Sequence, residues 1–215
     1  MEWLAVVGVA VAFAAGIAPV VRGVLPSGDS MGAVLDRIAT GDATPGMAPI
    51  PPSLGGGGWL PIVDGASIVR VAQRLAIAGI VEVPPGSNRG PGIDLFTEGN
   101  AEAWCADFVS WVLRAAGHPF TGGASGWRLA WTGDVRAWFA ARAAFRDRLV
   151  ADPRPGDVIW FVHGHVGIVE SVHGDALTTI EGNAGDAVTR RTYPAWRVDA
   201  DIGGFGRPGA HGIVT

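Results

Sequence analysis

The stretch Pro153-Arg154-Pro155-Gly156-Asp157 separates two parts of this chain with different hydrophobic periods, and that change limits what the chain can fold into. Before it, apolar residues recur at helical spacing. Ser67 to Gly79 reads as a helix with Ser67 as its cap and Ile68, Val71, Ala72 and Leu75 on one face. In Ala103 to Arg114, Phe108, Val109 and Val112 share a face. A third helix is predicted from Asp134 to Leu149, capped by Asp134, with Val135, Trp138, Phe139, Phe145 and Leu149 on one side. Arg142 falls in that stripe, where its aliphatic stem can lie while the guanidinium reaches water. After the change the pattern is that of strands, at Asp157–Val162, His165–Val172, Ala176–Asn183, Val188–Tyr193 and Ile202–Arg207. Helices first and a strand meander afterwards imply an α+β fold, with N-terminal helices packed on an antiparallel β-sheet.

Two segments precede this domain. Trp3 to Val21 is a run without charge between Glu2 and Arg22, and about 20 such residues cross a bilayer as a helix. It reads as an N-terminal transmembrane helix, an anchor in preference to a cleaved signal, because no basic side chain precedes it and it is longer than a usual signal core. Arg22 and Arg37 follow it, a weak bias against placing the domain outside the cell. From Gly23 to about Gly65, runs such as Pro49-Ile50-Pro51-Pro52 and Gly55-Gly56-Gly57-Gly58 mark a tether, with one short helix between Ser30 and Ile38. The expected organisation is an anchor over residues 1–25, a linker over 26–65 and a folded domain over 66–210.

Composition removes several function classes. The net charge is −4, and no basic stripe or run appears, so nucleic acid is set aside as a partner. A single cysteine excludes an internal disulfide and any Cys-rich zinc site.

That cysteine, Cys105, lies at the start of the Ala103–Arg114 helix. Unpaired N–H groups and the positive end of the helix dipole favour thiolate there, and thiolate is the nucleophilic form. A free cysteine also serves as a small buried hydrophobe, so the nucleophile reading rests on its partners. A thiol nucleophile needs a base, and the base needs a third group to orient it. His165 opens a strand after Gly164 and is the preferred base; His163, in the hairpin, is its rival. Glu181 and Asn183 are two apart on the next strand, so both are expected to point to one face and approach the imidazole. No Cys/His/Asp cluster completes a metal site around the two histidines, and no metal is expected.

The segments Ala103-Trp104-Cys105-Ala106-Asp107-Phe108-Val109, Pro155-Gly156-Asp157-Val158, Gly164-His165-Val166-Gly167-Ile168-Val169 and Glu181-Gly182-Asn183 resemble the CHAP family, the cysteine, histidine-dependent amidohydrolases/peptidases. The resemblance runs from about Ile68 to Pro208 and implies a papain-like core. It implies that Cys105 attacks an amide, that His165 acts as base and then acid, and that Glu181 and Asn183 complete the catalytic set. Most members cut peptidoglycan, which makes a stem peptide or cross-bridge the expected partner. Several bacterial members bind calcium near the cysteine, but Asp94, Glu98 and Asn100 do not form that pattern here, and no cofactor is expected. Trp104, Trp127, Trp131 and Trp196 are candidates for a glycopeptide groove, with core packing as the competing role.

The resulting expectation is a monomeric, membrane-tethered cell-wall hydrolase with its domain outside the cytoplasm, or secreted if the N-terminal segment is removed. Two other readings stay open: a cytoplasmic amidase of a small conjugate, and a muropeptide-binding module that does not cut. N-Acetylmuramoyl-L-alanine amidase and endopeptidase remain equally open.

Overall fold

A computed structural model describes residues 65–209. The Trp3–Val21 run, the tether and the short helix between Ser30 and Ile38 lie outside the described residues. Among the described residues no helix is long and apolar enough to cross a membrane.

Helix α1, Gly65–Ala78, already runs when it reaches Ser67, so Ser67 lies in its first turn and is not the cap. Its predicted face, Ile68, Val71, Ala72 and Leu75, is buried. A one-turn helix, α2 (Ile93–Thr97), follows the turn-rich loop; Glu98 stops it with a left-handed φ of 55°. Helix α3, Cys105–Ala115, is buried on every side from Cys105 to Leu113. It packs against α1, α2 and the sheet, and a helix apolar nearly all round is a helix at the centre of its domain.

The third predicted helix is shorter than its periodicity suggests. Helix α4 covers Thr132–Ala140, and its N-cap is Trp131, not Asp134. Ala143 takes a left-handed φ of 53°, and the Ala144 N–H bonds back to the Phe139 carbonyl, closing the helix. Phe145 then enters strand β1 (Phe145–Asp147), where Phe145, Arg146 and Asp147 pair with Gly206, Phe205 and Gly204. A 3-10 turn, Arg148–Val150, leaves Leu149 78% exposed. Pairing with the last strand therefore overrides the 3.6-residue period. Arg142 places its guanidinium 3.9 Å over the Trp138 ring and donates to Thr121 Oγ1, so it covers the stripe and does not interrupt it.

The remaining strands are β2 (Val158–Phe161), β3 (His165–His173), β4 (Ala176–Glu181), β5 (Thr189–Tyr193) and β6 (Ile202–Gly206). With β1 they form one antiparallel sheet in the order β1-β6-β2-β3-β4-β5. The helices cover one face, over a core that includes Phe108, Val166, Ile168 and Ile180. Ile159, Phe161, Val169, Leu177 and Trp196 fill a second core on the other face. Strict alternation then puts His165 and Glu181, neighbours of Val166 and Ile180, on the face away from α3. Because both lie at strand ends, the start of α3 meets them around the end of the sheet. Two fully buried rings, Trp104 and Phe108, fix that corner, and burial of each contributes roughly 2–3 kcal/mol.

Candidate active site

Cys105 is the first residue of α3 and is 6% exposed. Its N-cap, Trp104, makes no side-chain cap bond, and the first N–H with an intrahelical carbonyl is that of Phe108, 2.9 Å from the Trp104 oxygen. The Cys105 N–H therefore belongs to the unpaired first turn and faces the same end of the fold as the sulfur.

His165 Nε2 lies 2.9 Å from Glu181 Oε2, and the ring also interacts electrostatically with Cys105. Burial opposes a charge on the ring, but its interactions with Cys105 and Glu181 outweigh it and raise the imidazole pKa to about 9. The ring is thus an imidazolium at neutral pH. It donates from Nε2 to Glu181, which leaves Nδ1 for the sulfur.

Glu181 is 1% exposed, and burial alone would raise its pKa. The bonds it accepts from His165, Thr179 and Tyr193 hold it below the usual carboxylate range instead. Thr179 Oγ1 and Tyr193 Oη donate to Oε1 at 2.6 Å and 2.7 Å, so Oε2 is left to the imidazole. The same burial and the Glu181 charge raise the Tyr193 pKa, keeping the phenol a donor. Gly167 makes room for this: a Cβ there would sit 2.6 Å from Glu181 Cγ, so only glycine lets the glutamate lie across β3 toward His165.

Asn183 does not join the relay as expected. Strand β4 ends at Glu181, and Asn183 takes a left-handed φ of 56°, which breaks the alternation that put the two side chains on one face. Its amide donates to Asn88 Oδ1 at 3.4 Å, although it lines the same cavity as His165 and Glu181. A chain of bonds ties it to the cysteine helix. The Asn88 N–H donates to Glu82 Oε2 at 2.8 Å, and the Trp104 indole N–H donates to Glu82 Oε1 at 3.0 Å.

Trp104 is therefore a fully buried strut and offers no face to a ligand. Trp127 is also core, 9% exposed, with the Arg114 guanidinium 4.5 Å over its ring. Trp196 is buried in the second core. Trp131 alone of these four stays open, at 73% exposure. Its neighbour Thr132 approaches Gly164, in the hairpin between β2 and β3, so the exposed indole stands beside the turn that carries the histidines. His163, the rival base, is exposed and stacks on His165 at 6.0 Å between centroids; the bond to Glu181 is made by His165.

Sequence reasoning missed a buried ionic cluster just behind Cys105. Arg128, 6% exposed, donates to Asp107 Oδ1 and to Glu102 Oε1, both at 2.6 Å, and lies 3.3 Å from Glu98 Oε2. Burial lifts the Asp107 carboxyl to about pKa 6 against the pull of Arg128. The bond pins the irregular segment before α4 onto the first turn of α3. Arg128 is flanked there by Trp127 and Leu129, which conceal it among apolar residues. Tyr193 and Thr179 were also missed, though Thr179 lies two residues before Glu181 on the same strand face.

A thiol, an imidazole and a carboxylate gathered at the start of a central helix are the groups that nucleophilic catalysis by a thiol requires. Residues 97–183 match the model of the CHAP domain family. The matched span contains Cys105, His165, Glu181 and Asn183. No curated protein matches the chain. Among solved structures, "The crystal structure of Ly7917" aligns at 21% identity with a TM-score of 0.38, over 68% of this chain and 61% of that one. The chain thus spans less than two thirds of that protein.

Proposed function

We propose that this chain is a peptidoglycan hydrolase that cuts an amide or peptide bond with Cys105 as nucleophile and His165 as acid and base. The single observation that carries the reading is the relay from Cys105 to His165 to Glu181, inside a CHAP domain. The Cys105 sulfur bonds the carbonyl carbon while the pair's proton is held on His165. The carbonyl oxygen, now negative, is met by the Cys105 N–H. As the tetrahedral centre collapses the C–N bond breaks, and the His165 proton passes to the departing nitrogen, leaving a thioester and a free amine. Water then adds to the thioester as neutral His165 takes its proton. The sulfur leaves, the acid product is released and the pair is restored. Glu181 keeps the ring oriented and offsets its charge throughout. Asn183 contributes from the cavity wall, and Trp131 offers a stacking face for the glycopeptide.

Attachment to the membrane through residues 3–21, with the domain on the outer side, belongs to the same reading. The charge-free run from Trp3 to Val21 supports it.

The test is mass spectrometry of purified peptidoglycan after incubation with the full chain, wild type beside Cys105→Ala, at several pH values and with and without calcium. New termini from the wild type alone are expected, and their identity separates amidase from endopeptidase. An intact wall in every sample would overturn the substrate reading and favour a small cytoplasmic amide or a binding module. Topology mapping and a thiol-directed acylating probe then distinguish those two.

A further inference from the structure

Glu82 is a buried carboxyl group that the mechanism above does not use. It lies in the loop that leaves α1, is 3% exposed, and has no cation paired with it among the described residues. Burial without a cation costs stability, so packing does not explain a glutamate at this position. Its two oxygens do, because each meets one N–H group and the two groups come from different parts of the site. Oε1 accepts from the Trp104 indole at 3.0 Å, and Trp104 is the N-cap of α3, the residue before Cys105. Oε2 accepts from the Asn88 N–H at 2.8 Å, and Asn88 Oδ1 in turn receives the Asn183 amide at 3.4 Å.

The backbone around Glu82 is held by other bonds. The Glu82 N–H donates to the Asp186 carbonyl at 2.8 Å, the Gly86 N–H to Asp186 Oδ2 at 3.0 Å, and the Val188 N–H to the Ile80 carbonyl at 2.9 Å. Asp186 and Val188 belong to the connection between β4 and β5 that also carries Asn183. The loop is thus seated beside the sheet without help from the Glu82 side chain. What that side chain adds is the link to Trp104 on α3. A carboxylate offers two acceptor oxygens and no donor, whereas a glutamine would receive one N–H group and turn its own amide hydrogens on the other.

We infer that Glu82 is a positioning residue: it holds the start of α3, and with it the Cys105 sulfur, against His165, and it holds Asn183 in the cavity wall through Asn88. The inference rests on the hydrolase reading and adds to its site a residue that acts only through others.

Three variants of the full chain test it, by kinetics on peptidoglycan fragments, by the His165 titration in NMR and by the thermal midpoint. Glu82→Gln should lower kcat about tenfold with KM little changed, the worth of one strong hydrogen bond. It should also move the His165 titration down, toward its position in Cys105→Ala. Made in Cys105→Ala protein, the same substitution should leave that titration where it is, because the effect travels through the sulfur. A lower midpoint with kcat and titration intact overturns the inference, and so does an equal shift with and without the sulfur. Trp104→Phe cuts only the arm to α3 and decides the matter if Glu82→Gln does not fold; the titration should again move down, and an unmoved one overturns the inference. Asn88→Gly keeps the left-handed backbone, φ 53°, and the N–H to Glu82 while removing the carboxamide. It should lower kcat/KM about fivefold with the titration unmoved, and an unchanged kcat/KM overturns the arm to Asn183. A wild-type chain that cuts nothing, with the titration still shifted by Glu82→Gln, sustains the positioning role and overturns the hydrolase reading. Cutting that Glu82→Gln leaves unaltered, with the titration unmoved, does the reverse.

Discussion

The hydroxyl of Tyr193, the only tyrosine in the chain, lies 2.7 Å from Glu181 Oε1, on the carboxylate oxygen that His165 does not use. Tyr193 therefore acts on the relay only through the glutamate, as a positioning residue. Tyr193→Phe should lower kcat about fivefold, the worth of roughly one hydrogen bond, with KM little changed. Thr179→Val in addition should cost more than the two single changes together, because Oε1 of a buried carboxylate then has no donor. Steady-state kinetics beside thermal midpoints check this; a fall in stability that leaves kcat intact would make the tyrosine merely structural.

The pH profile follows from His165. Its folded pKa, about 9, lies above the ordinary 6.5. Its contribution to stability is thus complete below about pH 6.5 and is lost as pH rises through about 9. Activity should fall over the same upper range, since the ring loses the proton it gives to the departing nitrogen. In Cys105→Ala the His165 titration, followed by NMR, should move down, because the sulfur's support for the ring's charge is gone. An unmoved titration would show that the sulfur does not hold the ring's proton.

Arg128 should matter most for stability. Its replacement by Met strands Asp107, 0% exposed, and should cost about 3 kcal/mol at pH 8. The cost should shrink toward pH 5, where a carboxyl lifted to about pKa 6 is protonated and needs no cation. Because that pKa is raised, Asp107 favours the fold most at low pH, and its contribution declines as pH rises through about 6. Denaturant unfolding at the two pH values measures the difference.

Trp131 and Trp104 should respond in opposite ways. Trp131→Ala removes a surface indole and should raise KM for peptidoglycan fragments severalfold without moving the thermal midpoint. Trp104→Phe takes the donor from Glu82 Oε1 and should lower stability by about 1–3 kcal/mol. Kinetics and melting on the two variants settle which tryptophan meets substrate.

The sequence made the strands legible because alternation is local: five of the six appear within two residues of their predicted bounds. Cys105, His165 and Glu181 were legible as residues that meet, since each sits at an element boundary marked by a change in pattern. The Asp134–Leu149 helix failed where a left-handed Ala143 and pairing to β6, both set by distant residues, overrode the spacing. Asn183 failed for a similar reason, as a backbone turn directly after β4 redirects it. Tryptophans carry no pattern that separates strut from platform; only the buried acceptor on Glu82 reveals what Trp104 does. The Arg128 cluster joins residues as far apart as 98 and 128 and leaves no trace in the periodicity.

Gly182 follows Glu181 on the helix side of the sheet, and a Cβ there would meet Phe108 Cβ at 2.4 Å and Trp104 Cζ3 at 2.9 Å. Backbone thus rests directly on the ring and stem of the two residues that bracket Cys105. The consequence is mechanical: the end of β4 and the start of α3 form a hinge-free joint, and neither can slide without the other. The distance between Cys105, at the start of α3, and Glu181, at the end of β4, is thereby set by backbone seated on Phe108 and Trp104.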